Sequence, residues 1–167
     1  MKGWSVWMGL AAGLVVVTSA QAAGSAGSPA AQALEKIKSL EGSWQTATTE
    51  GAAVKITFRK VAGGSAVMEE MSYGNMVTVY HLDGDKLVMT HYCAGNNQPH
   101  MGSKGLSSDG NSIDFDLQGV GNLTDPKGMH MSDLVIRFVD ADTITERWTH
   151  SAGGRNEPME FKITRVK

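Results

Sequence analysis

From Trp44 to the C-terminus, hydrophobic and polar residues alternate in short runs that glycine and aspartate separate. Alternation places every second side chain on one face, so it predicts β-strands that bury a single face. Glycine and aspartate favour tight turns, because glycine adopts positive φ cheaply and aspartate hydrogen-bonds within its own turn. The pattern predicts ten strands, at residues 44–49, 53–60, 65–71, 76–82, 86–92, 98–106, 112–118, 131–139, 143–150 and 158–166.

One helix is predicted before the strands. Ser28 and Pro29 are residue types preferred at the N-cap and at the first helical position. Apolar side chains then recur at helical spacing, at Ala33, Leu34, Ile37 and Leu40. We therefore predict a short amphipathic helix over residues 29–40. Many evenly spaced strands without intervening helices indicate an antiparallel barrel or sandwich.

Alternation also predicts which side chains face the interior. The inward set of four strands comprises Val54, Ile56, Phe58, Ser132, Leu134, Ile136, Phe138, Ile144, Glu146, Trp148, His150, Met159, Phe161, Ile163 and Arg165. Two of these residues, Glu146 and Arg165, are charged and lie on neighbouring strands. Because buried charges need partners, we predict an ion pair between them at one end of the interior. The pair would either close that end or contact a ligand.

Two further strands carry the most polar residues of the predicted interior. Strands 76–82 and 86–92 are predicted to pair across a turn at residues 83–85. His91 and Cys93 are two residues apart, so they share a face. That face would also hold Val77, Val79, His81, Leu87 and Met89, and the opposite face would hold Tyr80 and Tyr92. Polar groups in an apolar lumen are typical of a small-molecule site.

The segment Leu40-Glu41-Gly42-Ser43-Trp44 follows the predicted helix and opens the first strand. It resembles the Gly-x-Trp start of lipocalin-like (calycin) barrels, which often end with an arginine that packs on this tryptophan; Arg165 is suitably placed. Residues 142–146, 160–165 and 90–99 also resemble uncharacterised exported bacterial lipocalin-like domains of unknown function. The likeness covers most of the chain after the N-terminal region. It implies an all-β, antiparallel lipocalin-like barrel of eight to ten strands with a short N-terminal helix, and no specific activity.

The N-terminal residues have the features of a secretory signal. Lys2 precedes an apolar stretch at residues 7–17, which is too short to span a bilayer, and Ala20-Gln21-Ala22 has the small-x-small form of a cleavage site. We predict a signal peptide at residues 1–22, a flexible leader at 23–28 and a single lipocalin-like domain at 29–167. The predicted location is periplasmic or secreted, without a membrane anchor after cleavage.

Composition and motifs restrict the function. The formal net charge is −2, which does not provide the basic patch that nucleic-acid binding requires. The single cysteine, Cys93, makes an internal disulfide impossible. Glu69 and Glu70 are predicted to face opposite sides of their strand, so a glycosidase pair of acids is not predicted. No nucleophile-elbow, phosphate-loop or metalloprotease motif occurs. We therefore predict no catalytic residues and favour a non-enzymatic function.

The favoured hypothesis is an exported barrel that binds a small, mostly apolar molecule in its lumen. The polar and aromatic features of that lumen would be His91, Cys93, Glu146, Trp148 and Arg165. One alternative is a structural or interaction domain with a filled core.

The other alternative is a copper- or haem-binding protein, although no cofactor is predicted outright. Imidazole and thioether ligands suit Cu(I). His100, Met101 and His130 could provide them if the loops at residues 93–104 and 119–130 meet. A histidine that faces the lumen, His91 or His150, could instead be an axial ligand of haem.

Overall fold

A computed structural model describes residues 27–167 and shows a closed antiparallel barrel of ten strands. The helix α1 spans Pro29–Lys38. The strands are β1 (Gly42–Ala47), β2 (Ala53–Val61), β3 (Ala66–Met71), β4 (Met76–Asp83), β5 (Lys86–Tyr92), β6 (Gln98–Ser103), β7 (Ser112–Gly121), β8 (His130–Asp140), β9 (Thr143–Ala152) and β10 (Arg155–Arg165). Each strand pairs with the next, and β1 closes the barrel against β10. The predicted all-β fold and its ten strands are confirmed. The predicted signal peptide, at residues 1–22, lies outside the described residues.

Helix α1 begins where its capping residues predict. The Ser28 side chain accepts a hydrogen bond from the backbone N–H of Ala31 at 3.2 Å, and Pro29 opens the first turn. The helix ends at Lys38, two residues earlier than predicted. Its buried face, which includes Leu34 and Ile37, packs across strands β2 to β5 at one end of the barrel. None of the described helices is long and apolar enough to cross a membrane.

Gly105 allows the start of α1 to approach the barrel closely. Its φ is +117°, a conformation that side chains disfavour, and a Cβ at this position would overlap the backbone of Pro29. The next residue, Leu106, donates its N–H to the Pro29 carbonyl at 3.0 Å. This contact holds α1 against the barrel end, which is therefore closed.

The closed end contains a buried aromatic cluster of the core. Trp44 and Phe58 are 1% and 0% exposed, and their rings meet edge to face at 6.2 Å. The Trp44 indole N–H donates to the Leu40 carbonyl at 2.7 Å. The Arg165 guanidinium lies 4.2 Å from the centre of the Trp44 ring. The arginine-on-tryptophan contact that the lipocalin resemblance implied is therefore present.

The predicted ion pair between Glu146 and Arg165 is wrong. In the ladder between β9 and β10, Glu146 pairs with Phe161. Arg165 follows four residues later, about 13 Å along the strand. Its guanidinium instead lies 3.5 Å from the Asp142 carboxylate and donates to backbone carbonyls at the end of the helix segment. The two residues share the inward face but not the same level of the barrel.

The predicted inward face is correct for β5 and wrong for β4. The turn between them has two residues, since Asp83 pairs with Lys86, whereas the prediction used three. A shift of one residue exchanges the faces of a strand. Tyr80 is therefore fully buried opposite Met89, and His81 is exposed.

Candidate ligand-binding site

The end of the barrel opposite α1 contains a cavity of about 470 Å³. This volume is within the range of small-molecule sites, roughly 300–1,000 Å³. Large apolar side chains form most of the wall: Val54, Met71, Tyr73, Met76, Met129, Met131, Trp148, Met159 and Phe161. Smaller or polar residues complete it: Thr46, Thr48, Thr49, His91, Cys93, Ala94, Gly95 and His150. Among these described lining residues there is no lysine, arginine, aspartate or glutamate.

His91 is the most deeply buried polar residue of the cavity wall. It is 4% exposed, and its Nδ1 lies 3.0 Å from the Thr78 hydroxyl. Its Nε2 has no hydrogen-bond partner within residues 27–167. Burial lowers the pKa of His91 to about 4, so the ring is neutral at neutral pH. A neutral imidazole has one donor and one acceptor nitrogen, so Nε2 offers one unused hydrogen bond.

The ring of Trp148 lies beside His91. The two ring centres are 4.7 Å apart and the planes are tilted by 46°. The indole N–H donates to Glu146 Oε2 at 3.0 Å, which fixes the orientation of the indole. Trp148 is 4% exposed and lines the cavity, so its ring contributes apolar surface to the wall.

Two buried carboxyl groups lie deeper in the barrel than the cavity wall. Glu146 is fully buried, and burial raises its pKa to about 7. Glu69 accepts a hydrogen bond from the Tyr80 hydroxyl at 2.7 Å. Burial, and secondarily the charge of Glu146, raise the pKa of Glu69 well above its usual value. Repulsion between neighbouring buried carboxylates thus favours the protonated form of Glu69.

Cys93 lies at the cavity mouth, in the loop after β5. Its N–H donates to the Asn97 carbonyl at 3.1 Å, and Asn96 returns a bond to the Cys93 carbonyl at 3.0 Å. Asn96 has φ +66°, which asparagine tolerates better than most residues. The Asn97 side chain donates to the Met129 carbonyl at 2.7 Å. The β5–β6 loop is therefore joined to the β7–β8 loop.

The structure separates the five predicted ligand-binding residues into three places. His91, Cys93 and Trp148 line the cavity. Glu146 lies beneath it, and Arg165 lies at the closed end. Ligand binding by any of them stays a prediction.

The residues predicted as copper ligands do not converge. Met101 is fully buried, whereas its neighbour His100 is on the outer face, with Nδ1 3.0 Å from the Thr90 hydroxyl. Consecutive strand residues point to opposite faces, so both cannot hold one ion. His130 Nδ1 lies 2.8 Å from the Gly128 carbonyl. Within residues 27–167, no three His, Cys, Asp or Glu side chains form a metal-binding group.

Sequence reasoning did not identify the methionine lining or the polar layer beneath it. Met71, Met76, Met129, Met131 and Met159 come from separate strands and one loop, so only the strand order brings them together. Alternation predicted that Glu69 and Glu70 face opposite sides of their strand, and the structure shows that Glu69 is the buried one. Its proximity to Glu146 depends on closure of the barrel.

No protein-family model and no curated protein matches this chain. The closed ten-stranded barrel with one short helix is consistent with a calycin-like fold. Membership of a lipocalin-like family stays a prediction.

Proposed function

We propose that this protein binds a small, uncharged, mostly apolar molecule in the cavity, without chemical change to that molecule. The observation that carries the proposal is the buried, unpartnered Nε2 of His91 in a wall that is otherwise largely apolar. The predicted signal peptide at residues 1–22 supports a role in the periplasm or outside the cell.

A ligand atom that hydrogen-bonds to His91 would lower the free energy of the folded protein. A buried polar atom without a partner costs about 1–3 kcal/mol, and a ligand hydroxyl, carbonyl or amide would remove that cost. The remainder of the ligand would bury apolar surface against Trp148 and the methionines, at about 25 cal/mol per Å². The combination favours an apolar molecule with one hydrogen-bonding group.

Charge selects against anionic ligands such as fatty acids. The described lining residues include no lysine or arginine, so a bound carboxylate would have no counterion. A buried charge without a partner is strongly unfavourable. The Glu146 carboxyl, deeper in the barrel, would add repulsion in its ionised form. The expected ligand is therefore neutral.

Two molecules of equal chain length test this selectivity: 1-octanol and octanoate, titrated at pH 8 and followed by calorimetry. We expect 1-octanol to bind at least about tenfold more tightly than octanoate, a difference of about 1.4 kcal/mol. Equal affinity for the two, or tighter binding of octanoate, would contradict the proposal.

A histidine substitution tests the hydrogen bond itself. His91→Phe keeps an aromatic ring and removes Nε2. The substitution should weaken the binding of 1-octanol about tenfold and leave the binding of the hydrocarbon 1-octene unchanged. His100→Phe is the matched control because His100 lies on the outer face. The assignment of His91 fails if His91→Phe binds 1-octanol as tightly as the control does.

A further inference from the structure

The mouth of the cavity brings sulfur and imidazole groups together on neighbouring strands. His91 is the last buried residue of β5, Cys93 follows directly after the strand ends at Tyr92, and both line the cavity. Positions two apart on an extended chain have Cα atoms about 6–7 Å apart with side chains on the same side. One ion between the two side chains is therefore within reach of both.

The strand register adds a thioether to this pair. Val77 and Tyr92 form the terminal pair of the ladder between β4 and β5, and their sequence neighbours Met76 and Cys93 both line the cavity. Met76 also lines the cavity and pairs on its other side with Met71, a second lining thioether. The cavity wall thus combines the Cys93 thiol with methionine thioethers at the end of the same ladder.

The surroundings of Cys93 and His91 resemble the outer shell of a metal site. The Gly95 N–H donates to Cys93 Sγ at 3.4 Å. On His91, the Thr78 hydroxyl holds Nδ1 and leaves the buried Nε2 free of any partner among the described residues. Metal-bound histidines are oriented in this way, through a hydrogen bond at the nitrogen that does not bind the metal.

The donor set restricts the kind of ion. Thiol, thioether and imidazole are soft or borderline donors that favour Cu(I), whereas structural zinc uses three or four Cys, His or carboxylate ligands. No such cluster exists within residues 27–167. One thiolate also neutralises one monovalent ion, so the complex would carry no net charge in a cavity wall without charged residues.

We infer that this protein binds one Cu(I) ion at the cavity mouth through Cys93 Sγ, His91 Nε2 and Met76 Sδ. Binding forms the Cu–S bond as the thiol proton leaves to solvent, and the oxidation state of copper does not change. This site is distinct from the His100, Met101 and His130 set. Copper and the proposed apolar ligand would compete for His91 Nε2, so each is measured in the absence of the other.

Competition with the chromophoric chelator bicinchoninate, under anaerobic conditions and with the full chain, measures this binding. We expect the protein to remove one equivalent of Cu(I) from the chelator. Cys93→Ser should lower the affinity at least about 100-fold and Met76→Leu about tenfold, while Met159→Leu should change it less than about twofold. Met159 is the matched control because it lines the same cavity from β10. X-ray absorption should show both sulfur and nitrogen ligands on copper.

Three results would overturn the inference: no transfer of copper from the chelator, an unchanged affinity in Cys93→Ser, or equal losses in Met76→Leu and Met159→Leu. The 1-octanol titration on the same preparations separates this outcome from a failure of the proposed function. Denaturant unfolding of each variant verifies that it is folded. A variant that loses copper alone supports the assigned ligands.

Discussion

The two ends of the barrel interior are built from different side chains. Beneath α1, aromatic and branched residues such as Trp44, Phe58 and Ile163 are at most 1% exposed and fill the space. At the opposite end, five methionines surround a cavity of about 470 Å³. Branched and aromatic side chains have few rotamers and specify one packing, whereas methionine is flexible and adapts to varied surfaces. The comparison teaches that a single sheet can enclose a rigid, filled core at one end and an adaptable cavity at the other.

A polar layer separates the two ends. Glu69, Tyr80 and Glu146 are buried there, and His91 and Trp148 connect the layer to the cavity wall. Two carboxyl groups with raised pKa values are unfavourable for stability at neutral and higher pH. Such a cost is typical of sites that serve a function other than folding.

The largest expected effect comes from truncating one phenylalanine at each end. Phe58→Ala removes a fully buried ring from the closed end and should lower the free energy of unfolding by about 3–5 kcal/mol. Phe161→Ala enlarges a cavity that already exists and should cost about 1–2 kcal/mol. Denaturant unfolding measures both. Equal losses would show that the two ends are equally well packed, contrary to this description.

The next effect is a change in the pH dependence of stability. Glu146 has a pKa of about 7 in the folded protein and 4.5 as the model value, so between these values the folded state holds the extra proton. The contribution of Glu146 to the stability of the folded state is therefore most favourable below pH 4.5 and is lost as the pH rises to about 7. Glu146→Gln removes this loss and keeps an oxygen that can accept from Trp148. Between pH 4.5 and about 7, the free energy of unfolding of the variant should therefore rise relative to that of the parent by about 1.4 kcal/mol per pH unit.

In the same experiment, His91 should give the free energy of unfolding a pH dependence of the opposite sign. Its pKa falls from 6.5 to about 4 on folding, so its contribution is present above pH 6.5 and is lost as the pH falls towards 4. In the parent this trend offsets that of Glu146 between pH 4.5 and 6.5. Unfolding of Glu146→Gln from pH 4 to 8, with the exposed Glu160→Gln as control, separates the two. A constant difference between parent and Glu146→Gln would contradict the buried carboxyl assignment.

A smaller effect is expected at the edge of the closed end. Arg165→Met keeps a long apolar side chain but loses the cation above Trp44 and the hydrogen bonds to the Glu41 and Ser39 carbonyls. We expect a loss of about 1–2 kcal/mol in unfolding free energy. Arg147→Met, on the exposed outer face, should change it by less than about 0.5 kcal/mol. If Arg165→Met and Arg147→Met lose the same unfolding free energy, the contact between Arg165 and Trp44 does not stabilise the fold.

Local patterns in the sequence were sufficient to predict the strands and most of their inward faces. Val54, Ile56 and Phe58 are buried as the alternation predicted, because each strand is short and bounded by clear turn residues. The face of β4 was wrong because it depended on the length of one turn. Glycine and aspartate at positions 83–85 are compatible with a turn of two or three residues, and a difference of one residue reverses every side chain.

The candidate site was predicted only in part because it depends on relationships between strands. His91 and Trp148 reach the cavity because each faces inward near the open end of its strand, and Cys93 reaches it from the loop after β5. Arg165 also faces inward, but strand direction places it near the opposite end. The pairing of Glu69 with Glu146 requires the closed order of ten strands. Alternation predicts on which face of the sheet a side chain lies, but it does not predict the position of that side chain along the barrel axis.

The most direct test of the central claim, that the open end binds a neutral apolar molecule at His91, is a crystal structure with 8-bromo-1-octanol. The account predicts anomalous bromine signal inside the methionine-lined cavity and the ligand hydroxyl within hydrogen-bond distance of His91 Nε2. A cavity closed by its own side chains, or a ligand bound only on the outer surface, would contradict it.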